Sequence, residues 1–201
     1  MAPPAEEDEG LVLSVTEQGE NFWRVAFLSP KSGFYYLLFR RSKRSGRPDV
    51  FDTATIIKTK GKNGSLYFGS EYRSSRHRTG LALSYERIRI ASRFANLISR
   101  NAKLLPDPSF LFSLSEQFFD SVSNSPAPET AYLKTLYLLA KTEGLPIRED
   151  WVDQMDPGQR ILLRDILQTS LADQGEENSA VARFCDSLER WLAAEAHFTL
   201  P

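Results

Sequence analysis

The stretch Phe22-Trp-Arg-Val-Ala-Phe-Leu28, followed by Ser29-Pro-Lys-Ser-Gly33 and Phe34-Tyr-Tyr-Leu-Leu-Phe39, decides the fold class. Its aromatic and β-branched residues favour strands, and a turn with Pro and Gly separates the two apolar segments. Three further strand candidates lie at residues 11–15, 50–60 and 65–72, the last two flanking an Asn-Gly pair that favours a hairpin turn. Five short strands predict an OB-fold β-barrel over residues 11–80, with a small SH3-like barrel as the alternative.

The second half of the chain has a different period. After Gly80 the apolar residues recur about every 3.6 positions, which indicates helices. Asp107-Pro108 and Asp156-Pro157 each provide an N-cap residue and a proline for a first helical turn. The expected helices cover residues 84–103, 108–119, 130–143, 157–171 and 179–196. The predicted class is α+β: a barrel, then an all-α helical domain over residues 81–201, with the Pro- and Glu-rich residues 1–10 as a disordered tail.

The net charge of -1 conceals a strong segregation of charge along the chain. Residues 1–20 carry six acids and no base, and residues 104–201 carry 7 bases and 16 acids. Residues 21–103 carry 18 bases and 4 acids, a formal charge of +14. An asymmetry of this size predicts that the first half of the protein binds a polyanion.

The residue types needed for catalysis are sparse. The chain has one cysteine, Cys185, and two histidines, His77 and His197, and it lacks the spacings typical of hydrolases, metalloproteases and nucleotide-binding loops. We therefore expect a protein that is not an enzyme and that uses no cofactor and no metal. The first residues do not resemble a signal peptide and no apolar run reaches about 20 residues, so we expect a cytoplasmic protein without membrane contact.

A basic segment provides the strongest functional signal. Residues 40–47 contain five cations and Gly46, and Pro48 comes directly after them. This composition suits a loop that runs along a phosphate backbone. Aromatic residues on the strands could stack on bases. The predicted nucleic-acid-binding residues are Arg40, Arg41, Lys43, Arg44, Arg47, Lys58, Lys60, Lys62, Arg73, Arg76 and Arg78, with Trp23, Tyr35 and Tyr67 as candidate base platforms; Phe22, Val25, Phe27, Phe34, Phe39 and Phe51 are expected to fill the barrel.

The order of these motifs resembles the RecO family of DNA recombination and repair proteins. Leu28-Ser-Pro-Lys-Ser-Gly33 is similar to that family's T-P-x-x-G turn before a cationic loop, and Gly80-Leu81 opens an Ala-rich helix. Pro108-Ser-Phe-Leu-Phe112 resembles the family's P-x-x-x-L-F helix. Glu143-Gly-Leu-Pro146 resembles the x-G-x-x-P sequence that closes a later helix of the family. Many members place a four-cysteine zinc site after this close, whereas residues 147–155 contain no cysteine. The chain therefore resembles either a divergent, zinc-free member or a relative whose partner contacts have changed.

The resemblance implies a DNA repair and recombination mediator associated with the nucleoid. Such a protein would bind single- and double-stranded DNA, anneal complementary strands and help to replace single-strand-binding protein with recombinase. A RecR-type protein and the acidic tail of single-strand-binding protein would be its partners. The basic residues expected to contact that tail lie on the first helix: Arg87, Arg89, Arg93 and Arg100. The alternative is a non-enzymatic adaptor whose barrel and helical domain bind an acidic protein tail.

Overall fold

The computed structural model describes residues 4–41, 47–61, 66–174 and 179–200. Within these ranges the chain forms five strands followed by five α-helices, which confirms the predicted α+β order. The strands are β1 (Ala5–Gln18), β2 (Phe22–Ser29), β3 (Gly33–Arg40), β4 (Thr53–Lys60) and β5 (Tyr67–Arg76). The Asn-Gly pair predicted to turn between β4 and β5 lies outside the described residues.

The five strands close into a barrel in the order β1-β2-β3-β5-β4. β1 is antiparallel to both β2 and β4, and β2 is antiparallel to β3. β3 and β5 run parallel over a short segment, from Leu37↔Tyr67 to Phe39↔Gly69. A closed five-stranded Greek-key barrel of this kind is OB-like, as predicted.

β1 is much longer than the sequence pattern indicated. The prediction of a disordered tail through residue 10 is wrong for residues 5–10, because these residues pair with β4 from Ala5↔Thr59 to Gly10↔Ala54. Asp8 is only 4% exposed, and its carboxylate accepts a hydrogen bond from the Ser29 hydroxyl at 2.6 Å. An acidic composition therefore belongs here to a strand with one buried acid, not to a disordered segment.

The inside of the barrel is filled by alternate residues of the strands. Its core consists of Val12, Val25, Phe27, Leu37, Phe39 and Ile56, and the half-buried rings of Trp23, Tyr35, Tyr67 and Tyr72 pack against that core. Phe51 is also buried, next to the start of β4. The predictions of core positions for Val25, Phe27, Phe39 and Phe51 are therefore confirmed.

The helices are α1 (Tyr85–Asn101), α2 (Pro108–Asn124), α3 (Pro128–Thr142), α4 (Pro157–Gln168) and α5 (Ser179–Glu195), with a 3₁₀ turn at Thr79–Leu83 and a π-helical turn at Arg148–Val152. The predicted caps are present. Asp107 accepts hydrogen bonds from the backbone N–H groups of Ser109 and Phe110, and Asp156 forms a capping box with Gln159. Among the described residues, none of the helices has the length and hydropathy needed to cross a lipid bilayer.

The chain divides into two compact units that do not follow the predicted boundary at residue 80. The first unit comprises Met1–Arg78 and Ala102–Glu116, and the second comprises Thr79–Asn101 and Gln117–Pro201. In the first unit, the Thr53 hydroxyl donates to Glu116 at 2.6 Å and Arg78 Nη2 lies 3.2 Å from the same carboxylate. These bonds connect the first half of α2 to the barrel strands, so that residues 102–116 belong to the barrel unit.

The second unit is centred on aromatic rings from three helices. The rings of Phe94 and Phe118 lie 4.1 Å apart between centroids, and Phe119 and Tyr132 pack at their edges. Gly80 lies so close to α2 that a Cβ atom there would be 2.3 Å from the Ser123 carbonyl oxygen. A glycine is therefore required where the 3₁₀ turn enters this unit.

Candidate nucleic-acid interface

The outer face of β2 and β3 carries aromatic and cationic side chains next to one another. Trp23 and Val25 pack inward, so Arg24 between them points outward and is exposed. Its guanidinium carbon lies 3.8 Å from the ring centroid of Tyr36, which occupies the same outer face of β3. The Tyr36 ring in turn makes an edge contact with Phe34, at 5.1 Å between centroids.

A second aromatic pair extends this outer face toward β5. Phe22 and Phe68 make a T-shaped contact at 6.2 Å, and Phe68 remains 41% exposed. Arg40 pairs with Phe22 across β2 and β3 and is exposed, as are Arg41 and Arg47 at the two described ends of the basic loop. Lys43 and Arg44, the other predicted cations of this loop, lie outside the described residues. In OB folds the face of strands 2 and 3 is the usual oligonucleotide-binding surface.

The three predicted base platforms do not lie on this outer face. Tyr35 and Tyr67 pack against the barrel core, and their rings are 5.1 Å apart. The Tyr35 hydroxyl donates to Asp8 at 2.9 Å, and burial together with the charge of Asp8 raises the pKa of Tyr35. The roles predicted for Tyr35 and Tyr67 are therefore wrong. Trp23 also packs on the core, and its ring is contacted by the guanidinium groups of Arg41 and Arg47.

Lys58 is likewise an interior residue and not a cation of the surface. It is 3% exposed, and its Nζ atom donates to Asp8 at 2.6 Å and to the Ser32 hydroxyl at 2.6 Å. Burial acts to raise the pKa of Asp8, but hydrogen bonds from Lys58 and from Ser29 and Tyr35 outweigh it, so the net pKa is lowered. The predicted phosphate contact of Lys58 is wrong, because its charge is used inside the barrel.

The remaining predicted cations of the barrel unit differ in their surroundings. Arg73 is exposed and pairs with Glu71 at 2.8 Å, and both Arg76 and Lys60 are exposed. Arg78 is only 7% exposed, and its Nη1 atom donates to the Phe51 carbonyl oxygen at 2.6 Å. The predicted binding role of Arg78 is therefore wrong, because its guanidinium group is buried and makes hydrogen bonds inside the barrel unit. Lys62 lies outside the described residues.

The arginines of α1 bond within the helical unit instead of forming the predicted partner-binding row. Arg87 donates to the carbonyl oxygens of Gly80, Ser123 and Ser125. Arg89 pairs with Glu86 and Glu129, Arg93 pairs with Asp186 at 2.6 Å and Glu189 at 2.8 Å, and Arg100 donates to the Leu200 carbonyl oxygen. Two of the cations counted over residues 21–103, Arg89 and Arg93, are therefore paired with carboxylates of the helical unit.

Arg24 and Phe68 were not predicted from the sequence, Tyr36 was one of the strand aromatics that could stack but not one of the predicted binding residues, and Phe22 and Phe34 were assigned to the core. The error concerns which side chains of each strand point inward. Phe34-Tyr-Tyr-Leu-Leu-Phe39 lacks a polar residue at every second position, so the pattern does not tell inner from outer positions. On β2, Val25 and Phe27 flank a small residue and could have shown which of its side chains point inward. Arg24 would then have been placed outside and Trp23 inside.

His77, the Ser74 hydroxyl and the Asp52 carboxylate lie close together beside β5, but they do not form a catalytic relay. His77 Nδ1 lies 2.8 Å from the buried carboxylate of Asp52 and 3.3 Å from the Ser74 hydroxyl. A serine–histidine–aspartate relay needs the serine and the carboxylate at opposite ring nitrogens, whereas here both lie at Nδ1. Within the ranges that the structure describes, no group of three or more His, Cys, Asp or Glu residues is placed to hold a metal ion.

The helical unit contains a surface groove of about 500 Å³ between α4, α5 and the residues before α4. Met155, Leu162 and Phe184 provide its apolar lining, and Arg183 and Arg190 provide its positive charge. Asp186 also lines the groove, although it pairs with Arg93. The groove therefore combines apolar surface with guanidinium groups.

The comparisons with known proteins do not assign a family to this chain. No protein-family model matches it, and no curated protein matches it significantly. The resemblance to RecO proteins therefore stays a prediction from the sequence.

Proposed function

We propose that the barrel binds single-stranded DNA along the outer face of β2 and β3. The observation that carries the proposal is the row of outward-facing rings and cations on these strands, centred on Arg24 at 3.8 Å from the Tyr36 ring. An exposed ring on such a face, Phe68, stacks on a base at about 1–3 kcal/mol, and cations such as Arg24, held on the Tyr36 ring, bind the phosphates. The exposed Arg40, Arg41 and Arg47 continue the positive charge beyond the end of the strands.

The recombination role is a further part of this proposal and depends on the sequence resemblance. A protein that holds single strands on its surface can bring complementary strands together, bind the duplex that forms, and assist the exchange of single-strand-binding protein for recombinase. We place this non-enzymatic activity in DNA repair in the cytoplasm, at the nucleoid, with a RecR-type partner. Annealing of two complementary labelled strands, with and without single-strand-binding protein, tests this part separately.

The direct test is a titration of labelled oligodeoxythymidine of about 20 nucleotides, followed by fluorescence anisotropy. We expect binding that weakens with salt at a log–log slope of about -3, which corresponds to roughly four phosphate contacts. Arg24→Ala combined with Tyr36→Ala should weaken binding about tenfold or more. Absence of binding by the wild-type protein at micromolar concentration and low salt would refute the proposal.

A matched control variant removes the same two residue types from a different surface. Arg160→Ala combined with Tyr85→Ala removes an exposed arginine and an exposed tyrosine of the helical unit. This variant should bind the oligonucleotide like the wild type. Equal losses in the two double variants would show that the β2–β3 face has no special part in binding.

A second candidate function is the adaptor role, and the groove of the helical unit favours it. An acidic peptide with apolar side chains would place those side chains against Phe184 and Leu162 and its carboxylates beside Arg183 and Arg190. Anisotropy of a labelled peptide with acidic and aromatic residues measures this binding, and a peptide of scrambled charge is the control. Arg183→Glu combined with Arg190→Glu should abolish it without affecting DNA binding.

A further inference from the structure

Trp23 lies at an end of the barrel, where the basic loop leaves β3. In the β-sheet register it pairs with Glu17 of β1 and with Phe39 of β3. Its ring packs against the barrel core and stays half-buried. One side of the ring is thereby held against the barrel core.

Two guanidinium groups from the two ends of the basic loop meet at this ring. The Cζ atom of Arg41 lies 4.2 Å from the centroid of a Trp23 ring, and that of Arg47 lies 4.6 Å from it. Tryptophan is the strongest cation–π partner among the side chains, and the contact restricts the rotamers of both arginines. A guanidinium held in this way keeps its N–H donors available for the oxygens of a phosphate.

A carboxylate already lies beside this pair of guanidinium groups. Glu17 Oε1 is 3.4 Å from Arg41 Nη1, and the Glu17 side chain is 64% exposed. The backbone of Arg41 is fixed as well, because its N–H donates to the Asn21 carbonyl oxygen at 2.7 Å. An exposed ion pair of this type is weak, so an incoming anion can replace the carboxylate.

We propose that Arg41 and Arg47, held on the Trp23 ring, form a site for one phosphodiester group of single-stranded nucleic acid, and that Glu17 occupies this site in its absence. The proposal rests on the proposed function and assigns Trp23 a role different from base stacking. A base could stack on Trp23 only by displacing a guanidinium group or the barrel core. Trp23 is therefore a positioning residue for two phosphate-binding arginines.

The first test changes the shape of the cations and keeps their charge. Arg41→Lys combined with Arg47→Lys preserves the net charge but removes the planar fork that binds two oxygens and stacks on a ring. We expect affinity for the labelled oligodeoxythymidine to fall about tenfold, whereas Arg160→Lys combined with Arg164→Lys on α4 should leave it unchanged. Wild-type affinity in the Arg41/Arg47 variant, with normal binding by the wild type, would overturn this site and leave the proposed function standing.

The second test removes the competing carboxylate and does not disturb the core. Glu17→Gln should raise the affinity about threefold, and Glu9→Gln, an exposed position on the same strand, should not change it. Unchanged affinity in Glu17→Gln would overturn the displacement of Glu17. Failure of the wild-type protein to bind any oligonucleotide would refute this site together with the proposed function.

The third test separates phosphate binding from base stacking. Oligonucleotides with abasic positions keep the phosphodiester groups and lack the bases. The fold-loss caused by the Arg41/Arg47 variant should be the same on abasic and intact strands, because the lost contacts are to phosphates. A loss that disappears on the abasic strand would show that a base binds at Trp23 and would overturn the proposal.

Discussion

Replacing Lys58 with methionine should destabilise the barrel strongly, because the buried carboxylate of Asp8 would lose its countercharge. Lys58 and Asp8 are 3% and 4% exposed, and their charged atoms lie 2.6 Å apart. Removing one partner of a buried ion pair costs about 3–5 kcal/mol. Asp8 keeps hydrogen bonds from Ser29 and Tyr35 and can take up a proton, so we expect the lower end, about 3 kcal/mol.

Thermal and urea unfolding followed by circular dichroism measure this loss. In a domain of about 100 residues, 3 kcal/mol corresponds to a fall of roughly 15 °C in the melting temperature. The control is Lys60→Met, two residues further along β4, where the side chain is exposed and the expected change is below about 0.5 kcal/mol. Combining Asp8→Asn with Lys58→Met should restore most of the stability, since no unpaired charge is then buried.

Two results would refute this reasoning. A Lys58→Met variant as stable as Lys60→Met would mean that the ion pair contributes nothing to folding. A double variant that loses at least the sum of the two single losses would mean that the charges of Asp8 and Lys58 do not interact. In the temperature range where the Lys58→Met variant is folded, its affinity for an oligonucleotide should equal that of the wild type, because Lys58 lies inside the barrel.

Three further predictions concern acid, an arginine and a glycine. The pKa of Asp8 is lowered in the folded state. The ionised carboxylate therefore stabilises the fold above the unfolded-state pKa of about 3.9, and this contribution is lost as the pH falls through the folded-state pKa. Asp8→Asn should flatten the acid limb of a plot of unfolding free energy against pH. Arg93→Met should cost about 3 kcal/mol in urea unfolding, because it removes the cation that pairs with the buried carboxylate of Glu189. Gly80→Ala should lower the melting temperature, because the new methyl group would lie 2.3 Å from the Ser123 carbonyl oxygen.

Each of these has a control at an exposed position. Glu9→Gln should leave the acid limb steep, and Arg160→Met should change the unfolding free energy by less than about 0.5 kcal/mol. Gly158→Ala, in the first turn of α4, places a methyl group 3.2 Å from Asp156 Oδ1, a side-chain atom that can shift by a small distance, and should lower the melting temperature less than Gly80→Ala. If any of the three variants behaves like its control, the corresponding contact does not carry the stability assigned to it.

Much of the fold follows from local sequence signals. Pro30 and Gly33 mark the turn between β2 and β3, and the positive φ of Gly33 (70°) explains the glycine. Asp156 caps α4, and Gly144, with a φ of 71°, follows the end of α3. Such signals act over a few residues, and they are therefore readable without knowledge of the tertiary structure.

The functional residues were harder to predict because their roles depend on distant partners. The burial of Lys58 follows from Asp8, which lies 50 residues earlier in the chain. The ion pairs of Arg93 are made with residues 93 and 96 positions later. The segment Phe34–Phe39 is apolar at almost every position, so only its pairing with β2 decides that Tyr36 faces outward and Tyr35 inward. A count of charges or rings along the chain does not contain this information.

The position of β1 between β2 and β4 has a consequence during synthesis of the chain. Residues 11–18 of β1 pair with β2 across a short turn, and so that hairpin can form early, whereas residues 5–11 pair with β4 only after residue 59 has left the ribosome. Until then the backbone of residues 5–10 lacks the β4 strand with which it pairs in the barrel, and other nascent chains could use it as a template. Glu6, Glu7 and Glu9 place negative charge along this segment. The acidic start of the chain thus discourages edge-to-edge association until the barrel closes.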